Sequence, residues 1–165
     1  MNMFEAVKSV LSKYVKFTGR ARRSEFWYWC LALVITSFIV GVLSEVIDMG
    51  LFSLLFSLVI FFPGFAVSVR RLHDTGRTGW WLVWFYLGFP GLFMIGTLIS
   101  VGMFMDGNDP NSTAIMLYGL FNIAIFLGML IYFVVLLVFF CRDSQSGPNR
   151  YGDNPKNVGN FDVFS

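Results

Sequence analysis

Residues 70–81 read RRLHDTGRTGWW, and this stretch concentrates the side chains of the sequence that could do chemistry. His73 and Asp74 could belong to a catalytic loop if they faced a pocket beside another carboxylate. Arg70 and Arg71 could instead hold an anionic group, because a guanidinium matches the oxygens of a phosphate bidentately. The stretch therefore offers two candidate chemistries, catalysis and anion binding.

Few other residues could support catalysis or metal binding. His73 is the only histidine, so the sequence offers no histidine-based metal cluster and no second histidine for a proton relay. The tripeptide DTG at 74–76 also occurs in aspartic proteases, but those enzymes need two paired carboxylates and this chain has no second copy. Cys30 and Cys141 are expected to be reduced thiols that serve packing. We therefore expect no catalytic residue, no metal and no cofactor.

The arginines stand at the predicted ends of helices, where two interpretations compete. In the first, they are topology signals and interfacial ion pairs that tie the helix ends together. In the second, the surplus arginines grip an anionic lipid headgroup or an acidic partner segment. The candidate anion- or partner-binding residues are Arg20, Arg22, Arg23, Arg70, Arg71, His73, Arg142 and Arg150.

The composition indicates that membrane helices position these residues. Apolar residues make up 56% of the 165 and charged residues 13%, against about 45–50% and about 25% in soluble domains. Four windows without charge are long enough to cross a bilayer, and they give spans at about 26–43, 51–69, 80–105 and 114–141. A soluble helical domain would need polar outer stripes, which these windows lack. The predicted fold class is all-α, a polytopic membrane protein with four transmembrane helices.

The distribution of charge predicts the orientation of the chain. All twelve Lys and Arg residues fall in the N-terminal segment, the 70–79 loop or the tail, whereas loops 44–50 and 106–113 hold only acidic charges. Short loops rich in Lys and Arg stay on the cytoplasmic side of a membrane. Both termini and the 70–79 loop should therefore be cytoplasmic, with a formal charge of +6 on that side and −4 on the other.

The segments outside the spans also have predicted roles. Residues 3–17 place Phe4, Val7, Leu11 and Tyr14 at helical spacing, a pattern typical of a short amphipathic helix lying in the membrane interface. Gly147-Pro148 and Asn154-Pro155 are turn signals in the tail. We predict a transmembrane domain over residues 1–145, a cytoplasmic tail over 146–165, and a cytoplasmic cap built from the loop and the tail.

Several residues should shape or join the spans. Ser24 is expected to precede and cap span one. Pro90 should kink or break span three, and Pro63 makes a similar weak point in span two. Asn122 is expected to hydrogen-bond another helix. Small residues four apart, such as Gly96 and Ser100, favour packing within the bundle or self-association.

Three segments together resemble the bacterial membrane family called domain of unknown function 805: GRARRSEFWYW at 19–29, RRLHDTGRTGWW at 70–81 and GPNRYGDNP at 147–155. The resemblance implies a small multi-pass protein of the bacterial cytoplasmic (inner) membrane, and it brings no activity, substrate or cofactor. The three motifs are predicted to meet on the cytoplasmic face. The predicted structural residues of this cap are Ser24, Glu25, Trp27, Asp74, Gly79, Trp80, Trp81, Asn149, Tyr151, Asn154 and Pro155.

The preferred function is that of a non-enzymatic integral membrane protein whose cap binds anionic lipid headgroups or an acidic partner. Membrane lipids are the expected partners, with a protein partner or self-association through small-residue helix faces as a further expectation, and no nucleic acid. A small-solute transporter or channel component is the alternative, although the spans lack ionisable side chains that such proteins use. An enzyme acting on a lipid through His73 and Asp74 is the third hypothesis.

The charge distribution generates a direct test of topology. A reporter that is active only outside the cytoplasm should be active when fused near Asn108, because the loop around it carries no basic residue. The same reporter inserted near Arg77 serves as the control and should be inactive. Cytoplasmic behaviour of the Asn108 fusion would overturn the orientation.

Overall fold

The structure, a computed structural model, describes residues 1–47, 50–105 and 112–156. In these ranges the chain is helical, apart from turns and one isolated bridge between Asn149 and Gly152. The elements are α1 (Met3–Ser12), α2 (Arg23–Ile47), α3 (Gly50–Asp74), α4 (Trp80–Val83), a π-helical turn (Trp84–Gly88), α5 (Phe89–Met105) and α6 (Ser112–Cys141). Most of the predicted 106–113 loop and the end of the tail, from residue 157, lie outside the described residues.

Four helical stretches of the described chain are long and apolar enough to cross a membrane. They are Arg23–Val46, Gly50–Asp74, Trp80–Gly102 and Ile115–Cys141. Their surfaces expose large apolar side chains such as Phe38, Val46, Leu51 and Ile131. Exposing these side chains to water would be unfavourable, whereas the hydrocarbon interior of a membrane can solvate them. The predicted fold class, all-α with four helices able to span, is confirmed.

The chain divides into two compact units. One unit contains residues 1–79 together with the chain from Phe140 onward, and the other contains Trp80–Phe139. In the first unit α3 buries Ala66, Val67 and Leu72. Gly64 of α3 approaches α2 so closely that a Cβ atom there would lie 3.4 Å from Nε1 of Trp29.

Helix α1 forms where the amphipathic pattern predicts it. A capping box starts the helix, since the Asn2 side chain accepts a hydrogen bond from the backbone N–H of Glu5 and the Glu5 side chain accepts one from Asn2. Ala6 and Val10 are buried on the face toward α2 and α3, whereas Phe4 is 77% exposed on the opposite face. The outward apolar face suits the interface location predicted from the sequence.

The second unit contains the irregular backbone that Pro90 predicts. Proline has no N–H to donate to the carbonyl four residues earlier, and just before it the helix widens into the π-helical turn Trp84–Gly88. Here the Phe89 N–H donates to the Trp84 carbonyl, five residues back. Pro63 has no such effect on the helix assignment, because α3 continues from Gly50 to Asp74.

Two local expectations are wrong. The Asn122 side chain donates to the Tyr118 carbonyl of its own helix, 2.9 Å away, rather than to another helix, because an amide side chain can reach the carbonyl one turn back. Ser24 does not precede span one, since α2 begins at Arg23. Its hydroxyl lies 3.8 Å from the sulfur of Met1.

The boundary of α3 also differs from the predicted 70–79 loop. The helix continues to Asp74, so Arg70, Arg71 and His73 lie in its last turns rather than in a loop. The sequence predicted a loop because the charge-free window ends before Arg70. In the structure, however, the side chains of Arg70, Arg71 and His73 find hydrogen-bond partners inside the protein. A helix end with its charges paired can stay buried.

Candidate functional site

Asp74 lies at the centre of the polar residues and is 0% exposed. Its Oδ1 accepts a hydrogen bond of 2.9 Å from Nε of Arg20, and its Oδ2 accepts from Nη1 of Arg71 and, at 2.6 Å, from the Ser144 hydroxyl. One buried carboxylate thus joins the segment before α2, the end of α3 and the segment after α6. We call Asp74, Arg20 and Arg71 the Asp74 cluster.

Arg20 holds the segment after α6 through both of its Nη groups, while its Nε and one Nη2 bond go to Asp74. Nη1 donates to the carbonyls of Gly147 and Gly152, at 2.8 and 3.3 Å, and Nη2 donates to those of Gln145 and Asp74, at 2.6 and 3.4 Å. Gly147 and Gly152 have positive φ angles of 74° and 127°, which glycine adopts without strain. The tail therefore turns so that its carbonyls face a single guanidinium.

Arg71 holds the end of α6. Its Nε and Nη2 donate to the Phe140 carbonyl at 3.1 and 3.0 Å, and Nη2 also donates to the carbonyl of Arg142. The last carbonyls of a helix lack partners inside the helix and carry a partial negative charge. Arg71 thus compensates the end of α6 while it pairs with Asp74.

A second cluster forms around Glu25, which is buried at the start of α2. Its Oε1 accepts hydrogen bonds of 3.1 Å from both Nη1 of Arg70 and the Ser9 hydroxyl, and Nζ of Lys13 lies 3.9 Å away. We call Glu25, Arg70 and Lys13 the Glu25 cluster. It connects α1, α2 and α3 through one carboxylate.

The third carboxylate, Asp143, is exposed. It pairs with Arg23 at 2.6 Å and with Lys156 at 2.9 Å. The hydrogen bond from Lys156 lowers the pKa of Asp143 below its usual range, and the positive charges of Arg23 and Lys156 add to this effect. Since exposed ion pairs stabilise a protein little, these pairs contribute far less than those of the two buried carboxylates.

His73 is packed by the tail and by the segment before α2. Its ring stacks on Tyr151 with centroids 3.7 Å apart and planes 4° from parallel, and its Nδ1 lies 3.3 Å from the Gly19 carbonyl. Asn149 donates to the His73 carbonyl at 3.0 Å. Within the described residues the ring meets a carbonyl and an aromatic ring, and the neighbouring Asp74 carboxylate is occupied by arginines. Those residues also include no group of three or more side chains able to hold a metal.

The other predicted residues divide between supporting and exposed positions. Arg22 donates to the Pro155 carbonyl. Asn154 is buried and donates to the Gln145 carbonyl at 3.3 Å, and Gly79 packs closely against Val69.

The exposed members are Trp27, Trp80, Arg142 and Arg150. Of these, Arg150 lies over the Tyr151 ring at 4.8 Å. Trp81 belongs to the second unit, where its carbonyl accepts from Tyr132 at 2.9 Å.

Sequence reasoning missed four residues that contribute polar groups to these clusters. Ser9 and Lys13 reach Glu25 from the N-terminal segment, and Ser144 and Gln145 serve Asp74 and Arg20 from the segment after α6. The spacing of Ser9 and Lys13, four residues apart, was a usable signal, since it places both on one helix face. Gln145 acts through its backbone carbonyl, which no side-chain pattern reveals.

The contrast between buried and exposed carboxylates generates a stability prediction. Asp74→Asn leaves two buried guanidiniums beside a neutral group, and removing one partner of a buried pair costs about 3–5 kcal/mol. Asp143→Asn is the matched control and should lower the free energy of unfolding far less, because exposed ion pairs stabilise a protein little. Unfolding in mild detergent measures both, and an equally mild effect of the two substitutions would contradict the central role of Asp74.

Comparison with known proteins agrees with this architecture. The family model described as "Protein of unknown function (DUF805)" matches residues 14–153. The inner membrane protein YhaI of Escherichia coli strain K12 is 34% identical over 150 residues, covering 90% of this chain and 92% of that protein. YhaH of the same strain is 28% identical over 153 residues, covering 89% and 93%, and no solved structure matches the chain. The chain belongs to the DUF805 family and is an integral membrane protein similar to these inner membrane proteins.

Proposed function

We propose that this protein is a non-enzymatic integral protein of the bacterial cytoplasmic membrane, with both termini cytoplasmic, that binds anionic lipid headgroups. The basic first unit would then lie at the inner leaflet, where anionic lipids attract Lys and Arg by about 1 kcal/mol per residue. The restriction of all twelve basic residues to segments predicted to be cytoplasmic supports this orientation.

The observation that carries the proposal is the excess of cations around each of the three carboxylates. Asp74 is shared by Arg20 and Arg71, Glu25 by Arg70 and Lys13, and Asp143 by Arg23 and Lys156. Each carboxylate therefore leaves one positive charge uncompensated. Such a surplus attracts anions, and in a membrane protein the nearest abundant anions are headgroup phosphates.

Four of the eight candidate residues differ clearly in their exposure. Arg20 and Arg71 are buried and their N–H groups bind internal carbonyls and Asp74, so their role is to hold the unit together. Arg142 and Arg150 are exposed in the tail, and Lys8 and Lys16 are exposed in the N-terminal segment. A headgroup can reach these four residues directly.

Helix α1 adds an apolar contribution to the same surface. Phe4 and Leu11 face away from α2 and α3, and Lys8 lies on that outward side. A helix with large apolar residues and a lysine on its free face binds the boundary between headgroups and acyl chains. The outward face of α1 therefore suits a headgroup-binding surface better than a binding site for an acidic protein segment.

Lipid retention tests this proposal. Protein in mild detergent is incubated with equal amounts of phosphatidylglycerol and phosphatidylcholine, and native mass spectrometry measures the retained lipids. Wild type should prefer phosphatidylglycerol, and Arg142→Ala/Arg150→Ala should lower that preference by about thirtyfold, since each residue contributes about 1 kcal/mol.

The matched control is Arg142→Lys/Arg150→Lys, which keeps both charges and should keep the preference. High salt should weaken the wild-type preference, because it screens exposed charges. No preference in wild type, or an unchanged preference in the double alanine variant, would contradict headgroup binding by these residues. An acidic protein partner would then become the better explanation of the surplus charge.

A further inference from the structure

Arg70 is a buried guanidinium with an incomplete set of partners. It is 1% exposed, and its only side-chain hydrogen bond within the described residues runs from Nη1 to Glu25, at 3.1 Å. Its Nε and Nη2 are buried without a hydrogen-bond partner there. A buried donor without an acceptor is costly, and for a charged group the cost is larger still.

The unpartnered groups form one edge of the guanidinium. The Nε–H and one Nη2–H bond are parallel in arginine, and this edge is the one that grips two oxygens of a single phosphate or carboxylate. The Glu25 carboxylate occupies the other side through Nη1. The open edge of Arg70 therefore has the geometry of a bidentate oxyanion site.

The neighbouring Asp74 cluster shows that the open edge is specific to Arg70. Arg20 and Arg71 are also buried arginines, and each fills its Nε and Nη2 groups with carbonyl or carboxylate oxygens. Two guanidiniums of this unit thus have acceptors on their Nε and Nη2 groups, whereas the Nε and Nη2 groups of Arg70 have none in the described residues.

The charge of the Glu25 cluster favours an anionic ligand, and the exposure of its members shows where the cluster reaches the surface. The Glu25 cluster carries two cations and one carboxylate, so an anion is attracted to it. Lys13 is 40% exposed and lies beside the same Glu25 oxygen that binds Arg70. Lys13 is therefore the member of the Glu25 cluster that reaches the surface.

A further unpartnered donor lies in the same helix pair. Nε1 of Trp29 is buried and has no hydrogen-bond partner in the described ranges. Trp29 follows Glu25 by one helical turn on the same face of α2. The α2–α3 pair thus contains a second buried donor without an acceptor in the described residues.

We propose that the Nε–Nη2 edge of Arg70 binds one phosphate oxyanion, which enters past Lys13. The phosphate comes either from a phospholipid headgroup or from free inorganic phosphate. The lipid source rests on the proposed function, whereas the binding chemistry at Arg70 is the same for both sources.

Thermal unfolding of delipidated protein tests the site, with inorganic phosphate titrated against chloride at equal ionic strength. A ligand that binds only the folded state raises the unfolding temperature, so phosphate should stabilise wild type. Arg70→Lys keeps a cation beside Glu25 but removes the parallel N–H pair, and it should weaken the apparent phosphate affinity by at least about tenfold. Arg23→Lys, at an exposed pair, is the matched control and should respond like wild type.

Glu25→Gln gives a test in the opposite direction, and it remains informative if Arg70→Lys does not fold. Because the negative charge of Glu25 would repel an anion bound beside it, phosphate should stabilise this variant more than wild type. Absence of stabilisation in wild type, or equal stabilisation of wild type and both variants, would overturn the proposal and leave buried water as the partner of Arg70.

Extraction of the purified protein distinguishes the two sources of phosphate. Tightly held phosphorus in the organic phase identifies a lipid, and phosphorus in the aqueous phase identifies free phosphate. Failure of the proposed function has a different signature: Arg142→Ala/Arg150→Ala would keep its phosphatidylglycerol preference. The Arg70 response to inorganic phosphate does not depend on that result.

Discussion

The first unit depends on the burial of the Asp74 carboxylate. Burial removes the water that hydrates this charge, so hydrogen bonds and positive charges inside the protein must replace that water. Two guanidiniums and one hydroxyl surround its oxygens. Because these donors come from before α2, from α3 and from after α6, the same requirement that stabilises the carboxylate also fixes three distant segments. Arg20 is 54 positions from Asp74 in the sequence and Ser144 is 70 positions away. A helix end that looked like a charged loop is thereby held as ordered, buried structure.

This arrangement separates structural charges from available ones. Arg20 and Arg71 bind carbonyls that would otherwise lack partners, and that use excludes a direct contact with a ligand. Arg142 and Arg150 remain exposed, and Arg70 keeps an open edge inside the unit. Residues of one chemical type thus serve different purposes, which are decided by the acceptors around each of them. The excess of cations over carboxylates serves both the structure and ligand binding. It stabilises the buried carboxylates, and it leaves positive charge that can attract another anion.

Much of the fold could be predicted from the sequence. Charge-free windows of sufficient length predicted the four spanning helices, and the spacing of Phe4, Val7 and Leu11 predicted α1. The sequence also showed arginines at helix ends, but it could not assign their partners. The Gly147 and Phe140 carbonyls that receive Arg20 and Arg71 are backbone groups, which residue types do not reveal. The burial of Trp29 likewise depends on how closely α3 approaches at Gly64, which residue types do not reveal.

A double-mutant cycle on Arg20 and Asp74 tests the central claim most directly. Unfolding free energies in mild detergent are compared for Arg20→Gln, Asp74→Asn and the combined variant. If the buried pair fixes the tail to α3, the double variant should lose about 2 kcal/mol less than the sum of the single losses, since residues in one network couple at that scale. Losses that add to within about 0.5 kcal/mol would show that the two residues act independently, and would contradict the account.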